Sequence, residues 1–214
     1  MIITIDGPGG AGKSTVASRL ARAIRYRYLD TGAMYRAVAY AYSRQKPADL
    51  DAFLAGLSLT FSFDSTTAVS LDGEDISERI RTPDVALLAS ALSQNVRVRA
   101  YLTQMQRRIG KDGGIVAEGR DTGSVVFPDA DVKFYLDADI TERARRRHVE
   151  VEAVNPGEDI GKVREEMERR DRADSERDIA PLVRPRDAVY VDTTGKAIDD
   201  VVDALKARVD KALI

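Results

Sequence analysis

The chain has 214 residues, 33 basic against 35 acidic side chains, a formal net charge of −2 and 43% apolar residues. That is a globular composition, and it argues against a protein that coats nucleic acid through bulk charge. With no cysteine and a single histidine, His148, it excludes disulfides, cysteine–zinc sites, thiol nucleophiles and centres built from several imidazoles. No apolar run nears the ~18–20 residues that span a bilayer. Met1 leads straight into Ile2-Ile3-Thr4-Ile5 without a basic leader, so the expected address is the cytoplasm, with no membrane partner. Arginine supplies 25 of the basic residues, a bias that suits phosphate and carboxylate ligands and that a GC-rich genome would also produce.

Ile2 to Ile5 is a β-branched run ended by Asp6-Gly7-Pro8-Gly9-Gly10, which predicts a strand and then a turn-rich loop. Val16, Ala17, Leu20, Ala21, Ala23 and Ile24 fall at helical spacing between Lys13 and Ile24. Tyr26 to Leu29 predicts a second strand. Asp30 or Thr31 then opens a helix from Ala33 to about Arg44, and Asp49 opens a shorter one reaching Gly56. Leu57 to Phe63 alternates apolar with Ser and Thr, and Ala68 to Leu71 with Asp72-Gly73 supplies its hairpin partner and turn. Pro83 begins a helix through Leu92. This block, 57–94, interrupts an otherwise alternating βα order and predicts an inserted antiparallel β/α subdomain.

Alternation then resumes. A helix is expected from Val96 to Ile109, strands at Ile115 to Ala117 and Val132 to Leu136, and a helix from Thr141 to about Val151. Asn155-Pro156-Gly157 breaks the chain before a highly charged helix from Asp159 to Arg172. Asp187 to Val191 is the last strand and Ile198 to Leu213 the last helix. The expected fold is α/β: a five-stranded parallel sheet flanked by helices, formed by 1–56 and 95–214, plus the small insertion.

Gly7-Pro8-Gly9-Gly10-Ala11-Gly12-Lys13-Ser14 matches G-x-x-x-x-G-K-[ST] without a mismatch, between a strand and a helix as the motif requires. Glycines let backbone N–H groups converge on phosphate oxygens, and the helix N-terminus adds partial positive charge. Lys13 is expected on the β- and γ-phosphates of ATP and the Ser14 hydroxyl on Mg²⁺, with Thr15 beside it. The chain carries no Asn/Thr-Lys-x-Asp base-recognition motif of a GTPase. Ile115-Val116-Ala117-Glu118, the nearest to the acidic strand end of an ATPase motor, runs on into Gly119-Arg120-Asp121. A kinase of small acceptors fits better: the insertion can close over the acceptor and an arginine-rich segment over the donor, excluding water.

Several segments together resemble one family. Ile3-Thr4-Ile5-Asp6-Gly7-Pro8 and Tyr28-Leu29-Asp30-Thr31-Gly32-Ala33-Met34-Tyr35-Arg36 are similar to the opening of bacterial cytidylate kinases. Asp72-Gly73-Glu74-Asp75-Ile76 and Ile80-Arg81-Thr82-Pro83-Asp84-Val85 resemble that family's insertion. Glu118-Gly119-Arg120-Asp121-Thr122-Gly123 with Val125-Val126-Phe127-Pro128-Asp129-Ala130 resembles its central signature, Glu118 standing where Asp is frequent. Arg170-Asp171, Asp174-Ser175, Arg177 and Ala180-Pro181-Leu182 resemble its late one.

The resemblance implies transfer of the γ-phosphoryl of MgATP to CMP or dCMP. It places Thr31, Arg36 and Arg120 on the acceptor phosphate and Tyr35 in the same pocket. It puts Ser90, Arg99 and Asp121 on the cytosine edge with Arg177 close by, and Arg170 and Asp174 on the sugar. A lid over ATP, about 143–165, would bring Arg143 and Arg147 to the donor. Lys13, Arg36, Arg120 and Arg170 would neutralise the repulsion between two anionic substrates. Rival readings are a related kinase of UMP, AMP or shikimate, and a non-enzymatic nucleotide switch binding RNA through its arginine helix. No exposed apolar stripe stands out, so a monomer is expected.

Overall fold

The computed structural model describes residues 1–63, 67–153 and 156–212; Asn155 of the expected break and Leu213 of the last helix lie outside them. Five strands, β1 (Ile2–Asp6), β2 (Arg27–Asp30), β6 (Ile115–Gly119), β7 (Val132–Asp137) and β8 (Val189–Asp192), form one parallel sheet in the order β2-β6-β1-β7-β8. Alternation along a strand sends neighbours to opposite faces. Ile115 and Ala117 accordingly join one hydrophobic cluster, and Val116 joins the other.

On the Val116 face lie α1 (Lys13–Ala23) and α8 (Ile198–Ala212), which contribute Val16, Leu20, Val201, Leu205 and Val209. On the opposite face lie α2 (Thr31–Gln45) and α5 (Val96–Gly110), with Met34, Val38, Val98 and Leu102. The short α3 (Leu50–Gly56) starts at Asp49, whose carboxylate accepts from Asp51 N at 2.8 Å. Each helix that follows a strand of the parallel sheet returns the chain to the same end, so the strands' carboxyl ends share one edge.

A separate antiparallel sheet has the order β3-β4-β5, from Leu59–Phe63, Thr67–Leu71 and Glu74–Asp75. Asp72-Gly73, both at positive φ, makes the turn from β4 into β5, a strand too short to leave a periodic signal. With α4 (Pro83–Leu92) this block shares the cluster of α2: Val69, Leu71, Ile76, Ile80 and Val85 are buried together with Met34 and Val38. Thr67 fastens it to the edge of the main sheet. Its hydroxyl accepts from Asp30 N at 3.0 Å and donates to the Tyr28 carbonyl at 2.8 Å.

Two further helices, α6 (Ile140–Glu152) and α7 (Ile160–Glu176), pack on each other through Ala144, Val163 and Met167. The second of them, α7, runs four residues beyond the expected Arg172. Its final turns bury charged groups rather than apolar ones, so no hydrophobic period marks them. A π-turn over Thr122–Val126, absent from the sequence expectation, follows β6. Among the described residues no helix is long and apolar enough to cross a membrane.

Candidate active site

The first wall of the site is the glycine-rich loop. Gly7 leaves β1 at φ +146°, and a Cβ there would lie 1.9 Å from the Leu136 carbonyl oxygen, so no other residue fits. Gly12, at φ +86°, caps α1 and turns its first N–H groups into the loop. The buried Lys13 donates from Nζ to the Pro8 carbonyl at 2.7 Å. Burial, then the Arg120 guanidinium, pushes its ammonium well below the usual range, with Glu118 and Asp6 opposing. Ser14 Oγ donates to Glu118 Oε1 at 2.7 Å, and Tyr28 OH donates to the same oxygen at 3.0 Å. Burial and the nearby Asp30 carboxylate push Glu118 up.

The second wall comes from the carboxyl ends of β2 and β6. Asp30 accepts from Ala33 N at 2.8 Å to cap α2, and its other oxygen holds Arg36 Nη2 at 2.9 Å. Arg36 Nε is buried and has no hydrogen-bond partner. Thr31 Oγ1 donates to the Glu118 carbonyl at 2.7 Å. Gly119 must lack a side chain, because a Cβ would meet Thr31 Oγ1 at 2.5 Å and Thr122 Cγ2 at 2.8 Å.

Arg120 reaches back toward the loop: a Cβ on Gly9 would lie 3.7 Å from its Nη2, while its Nε donates to Asp174 Oδ2 at 2.8 Å. The long α7 sets Arg170, Asp174 and Arg177 at i, i+4 and i+7, one face of a helix. Arg170 keeps part of its surface open at the cleft and makes no hydrogen bond to the other described residues. Desolvation by the walls and the Arg120 charge lower its pKa.

Beside this cluster Asp121 forms an ion pair with Arg99 and faces Arg177 Nη2 at 3.4 Å. Both guanidiniums belong to side chains only 6% exposed. Arg99 lies over the Tyr35 ring, 5.7 Å from its centroid, and burial pushes that phenol up to about 12. Arg177 Nε donates to the Ala180 carbonyl at 2.6 Å, which fixes the guanidinium toward Asp121. The edge of the sheet thus carries a phosphate loop and a buried arginine cluster side by side, with an acid–base pair of charges at its flank.

A sequence profile for cytidylate kinases matches residues 3–211. The protein is 46% identical over 213 residues to a cytidylate kinase of Geobacter sulfurreducens, covering 97% of this chain and 91% of the relative. It is 47% identical over 211 residues to one of Syntrophotalea carbinolica, covering 96% and 90%. The chain belongs to the cytidylate kinase family. Solved structures agree on the fold: a shikimate kinase from Bacteroides thetaiotaomicron superposes with a TM-score of 0.51 at 11% identity, over 98% of each chain.

On the donor side of the kinase, the residues expected on ATP are placed differently from one another. Arg143 is buried and spends its guanidinium on the Ala138 carbonyl at 2.9 Å, the Gly9 carbonyl at 3.0 Å and Asp171 at 2.5 Å. It therefore clasps the phosphate loop from α6. Arg147 is exposed and pairs with Glu150 at 2.7 Å. Arg146 instead joins Glu142 at 2.9 Å and the Thr193 carbonyl at 2.7 Å, with its Nη1 3.8 Å from a Cβ on Gly12.

Ser90 stands half-buried on α4, lining a groove with Leu87, Leu88 and Gln94. Gln94 also lines the groove beside Arg177. Thr15 is exposed in the first turn of α1, and the Ala11 carbonyl accepts from Thr193 Oγ1 at 3.1 Å. His148 holds the Glu158 carbonyl at 2.7 Å, a link between α6 and the loop before α7.

Sequence reasoning missed Asp6, Tyr28, Asp171 and Thr193 as members of the site, and it gave Glu118 no role. The available signal was position: Asp6 ends β1 and Glu118 is the last residue but one of β6, at the strand ends where ligands bind in such folds.

Proposed function

We propose that the kinase transfers the γ-phosphoryl group of MgATP to CMP or dCMP, yielding ADP and CDP or dCDP. The observation that carries this reading is the unmet hydrogen-bonding capacity of Arg36, whose Nε is buried without a partner, in a wall where Arg36 and Arg120 both act electrostatically on Arg170 and Arg120 faces the phosphate loop. Buried donors are normally paired, and a phosphate on this wall supplies what Arg36 lacks. Two anion sites then adjoin, one for a donor and one for an acceptor.

In this reading the backbone of Gly7 to Gly12 and Lys13 hold the donor phosphates, with Pro8 and Ala11 shaping the loop and Thr15 at the helix start. Thr31, Arg36 and Arg120 hold the acceptor phosphate. Arg170 and Asp174 hold the sugar side, Arg170 also reaching the transferring group. The arginines align two anions in line and offset their repulsion. The nucleophile is an already ionised phosphate oxygen, so no general base is needed.

The hydroxyl of Ser14 and the Glu118 carboxylate, 2.7 Å apart at the loop, are hard oxygen donors of the kind that suits Mg²⁺. Among the described residues no group of three or more His, Cys, Asp or Glu could hold a metal alone. The ion would therefore be shared with the nucleotide phosphates. When bound, it supplies charge neutralisation between the β- and γ-phosphates.

Cytosine offers an amine donor beside N3 and O2 acceptors. Asp121 has lone-pair capacity left after Arg99 and Arg177 and would accept from the amine. Arg99 and Ser90 would donate to the ring acceptors, and Tyr35 would flank the base. Uracil sets an oxygen against the carboxylate, a mismatch at a buried polar group. Residues 57–94 would act as the acceptor-binding subdomain and about 143–165, with Arg143 and Arg147, as the lid over ATP. The decisive experiment is ADP release from MgATP with CMP, dCMP, UMP, AMP, GMP, shikimate or no acceptor. Strong turnover confined to CMP and dCMP is expected. A preference for another acceptor overturns the base-site assignment, and silence with ATP still bound overturns the reaction.

A further inference from the structure

An aspartate at the start of a helical turn ordinarily accepts from the turn's first free N–H groups. Asp121 occupies that position before the Thr122–Val126 turn, with φ −141° and ψ 23°, and makes no such bond. The bonds are made by another residue. Asp6, 1% exposed at the end of β1, accepts from Thr122 N at 2.9 Å and Thr122 Oγ1 at 2.7 Å through Oδ1, and from Gly123 N at 2.7 Å through Oδ2. Gly123 permits the approach: a Cβ there would stand 2.6 Å from Thr4 Oγ1 and 3.3 Å from Asp6 Oδ2.

We propose that Asp6 is a positioning residue for base recognition: by capping the Thr122–Val126 turn from β1, it leaves the Asp121 carboxylate directed at Arg99, Arg177 and the incoming base. Aspartate side chains compete readily for nearby backbone N–H groups. Once Asp6 no longer satisfies Gly123 N–H, Asp121 is the nearest carboxylate in sequence able to turn back and cap it, at the expense of the base pocket. The assignment rests on the reading of Asp121 as the group that meets the cytosine amine.

The test compares kcat/KM for CMP and for UMP in the full-length kinase and in Asp6→Asn, Asp121→Asn and the double variant. Asp6→Asn keeps the volume but sets an amide N–H against Gly123 N–H. It is expected to reduce the CMP-over-UMP preference by about 5- to 10-fold, the scale of one buried hydrogen bond. The double variant is expected to discriminate as Asp121→Asn alone does, because both act through one carboxylate. Thr122→Val, which removes only the hydroxyl bond, is expected to reduce the preference by a smaller factor and decides the matter if Asp6→Asn does not fold.

A merely structural role would lower turnover of both nucleotides together and leave the ratio at its wild-type value, which overturns the proposal. So do losses that multiply in the double variant. If Asp121→Asn alone keeps the wild-type preference, the base-reading assignment falls, and the proposal falls with it. If Asp121→Asn loses the preference while Asp6→Asn and Thr122→Val keep it, only the role of Asp6 is refuted.

Discussion

Arg36→Lys separates acceptor binding from stability because of how the arginine is held. Among the described residues its one ion pair is Nη2 to Asp30 Oδ2 at 2.9 Å, with the two side chains 23% and 10% exposed, and its Nε is buried without a partner. Lysine keeps the charge next to Asp30 and removes the orphaned donor. The lost pair geometry costs about 0.5–1 kcal/mol and the relieved donor returns about 1 kcal/mol. Stability should therefore change by less than ~1 kcal/mol, or less than about 4 °C in Tm for a chain of this size.

A phosphate, by contrast, loses the planar fork that lysine cannot reproduce. One charge-assisted hydrogen bond of about 1.5–3 kcal/mol disappears, which lowers kcat/KM for CMP by roughly 10- to 150-fold. Steady-state kinetics with CMP and thermal melts of the same preparation give both numbers, and MgATP affinity should be unaltered. A fall in Tm beyond about 6 °C with CMP kinetics intact would show that Arg36 is a strut and refute the reasoning.

Three other perturbations have definite outcomes. Thr67→Val keeps the shape but leaves Asp30 N–H and the Tyr28 carbonyl unpaired in a buried place, so chemical denaturation should register a loss of about 2–4 kcal/mol. Gly7→Ala places a Cβ 1.9 Å from the Leu136 carbonyl at φ +146°, so the protein should fail to bind ATP in equilibrium binding even where soluble protein is recovered. Hydrogen bonds from Arg145, then Arg146, hold Glu142 down at about 2 against an ordinary 4.5. Its contribution to stability is therefore fully present above pH ~4.5 and lost as pH falls through ~2. Denaturation midpoints measured across that window should drop in the wild type more than in Glu142→Gln.

The extent to which the site was legible follows from where apolar periodicity and special residues coincide. The phosphate loop was legible because its chemistry demands glycine and lysine at fixed spacing between a strand and a helix, and Gly7, Gly12 and Lys13 obey that demand. Strand β6 and helices α1, α2, α4 and α5 were legible within one to two residues because each buries an apolar face. The last turns of α7 were not, since Arg170, Asp174 and Arg177 form its site-facing side and such residues read as a solvated surface. The π-turn was hidden for a related reason: its N–H groups are satisfied by Asp6, a residue 116 positions away from Thr122. No local pattern reports a cap supplied across the sheet.

The arginine run in α6 is a contrasting case. Four arginines close together suggest a phosphate clamp, yet each one has a protein partner: Arg143 with Asp171, Arg145 and Arg146 with Glu142, Arg147 with Glu150. The wall proposed for the acceptor differs in kind, not in arginine count. Arg36 keeps an unmet donor and Arg170 makes no hydrogen bond among the described residues, while Arg99 and Arg177 converge on one carboxylate. Composition counts charges, but a binding site is made by charges the fold leaves incompletely answered, and that depends on which carboxylates the helices bring near. Asp30 takes Nη2 of Arg36 and leaves its Nε unanswered, while Asp174 takes Nε of Arg120, whose Nη1 donates to the Gly119 carbonyl at 3.3 Å and whose Nη2 faces the phosphate loop. In the proposed reading the acceptor side is therefore organised before any nucleotide arrives, whereas Arg143 would have to release Asp171 and Gly9 before it could turn to a donor phosphate.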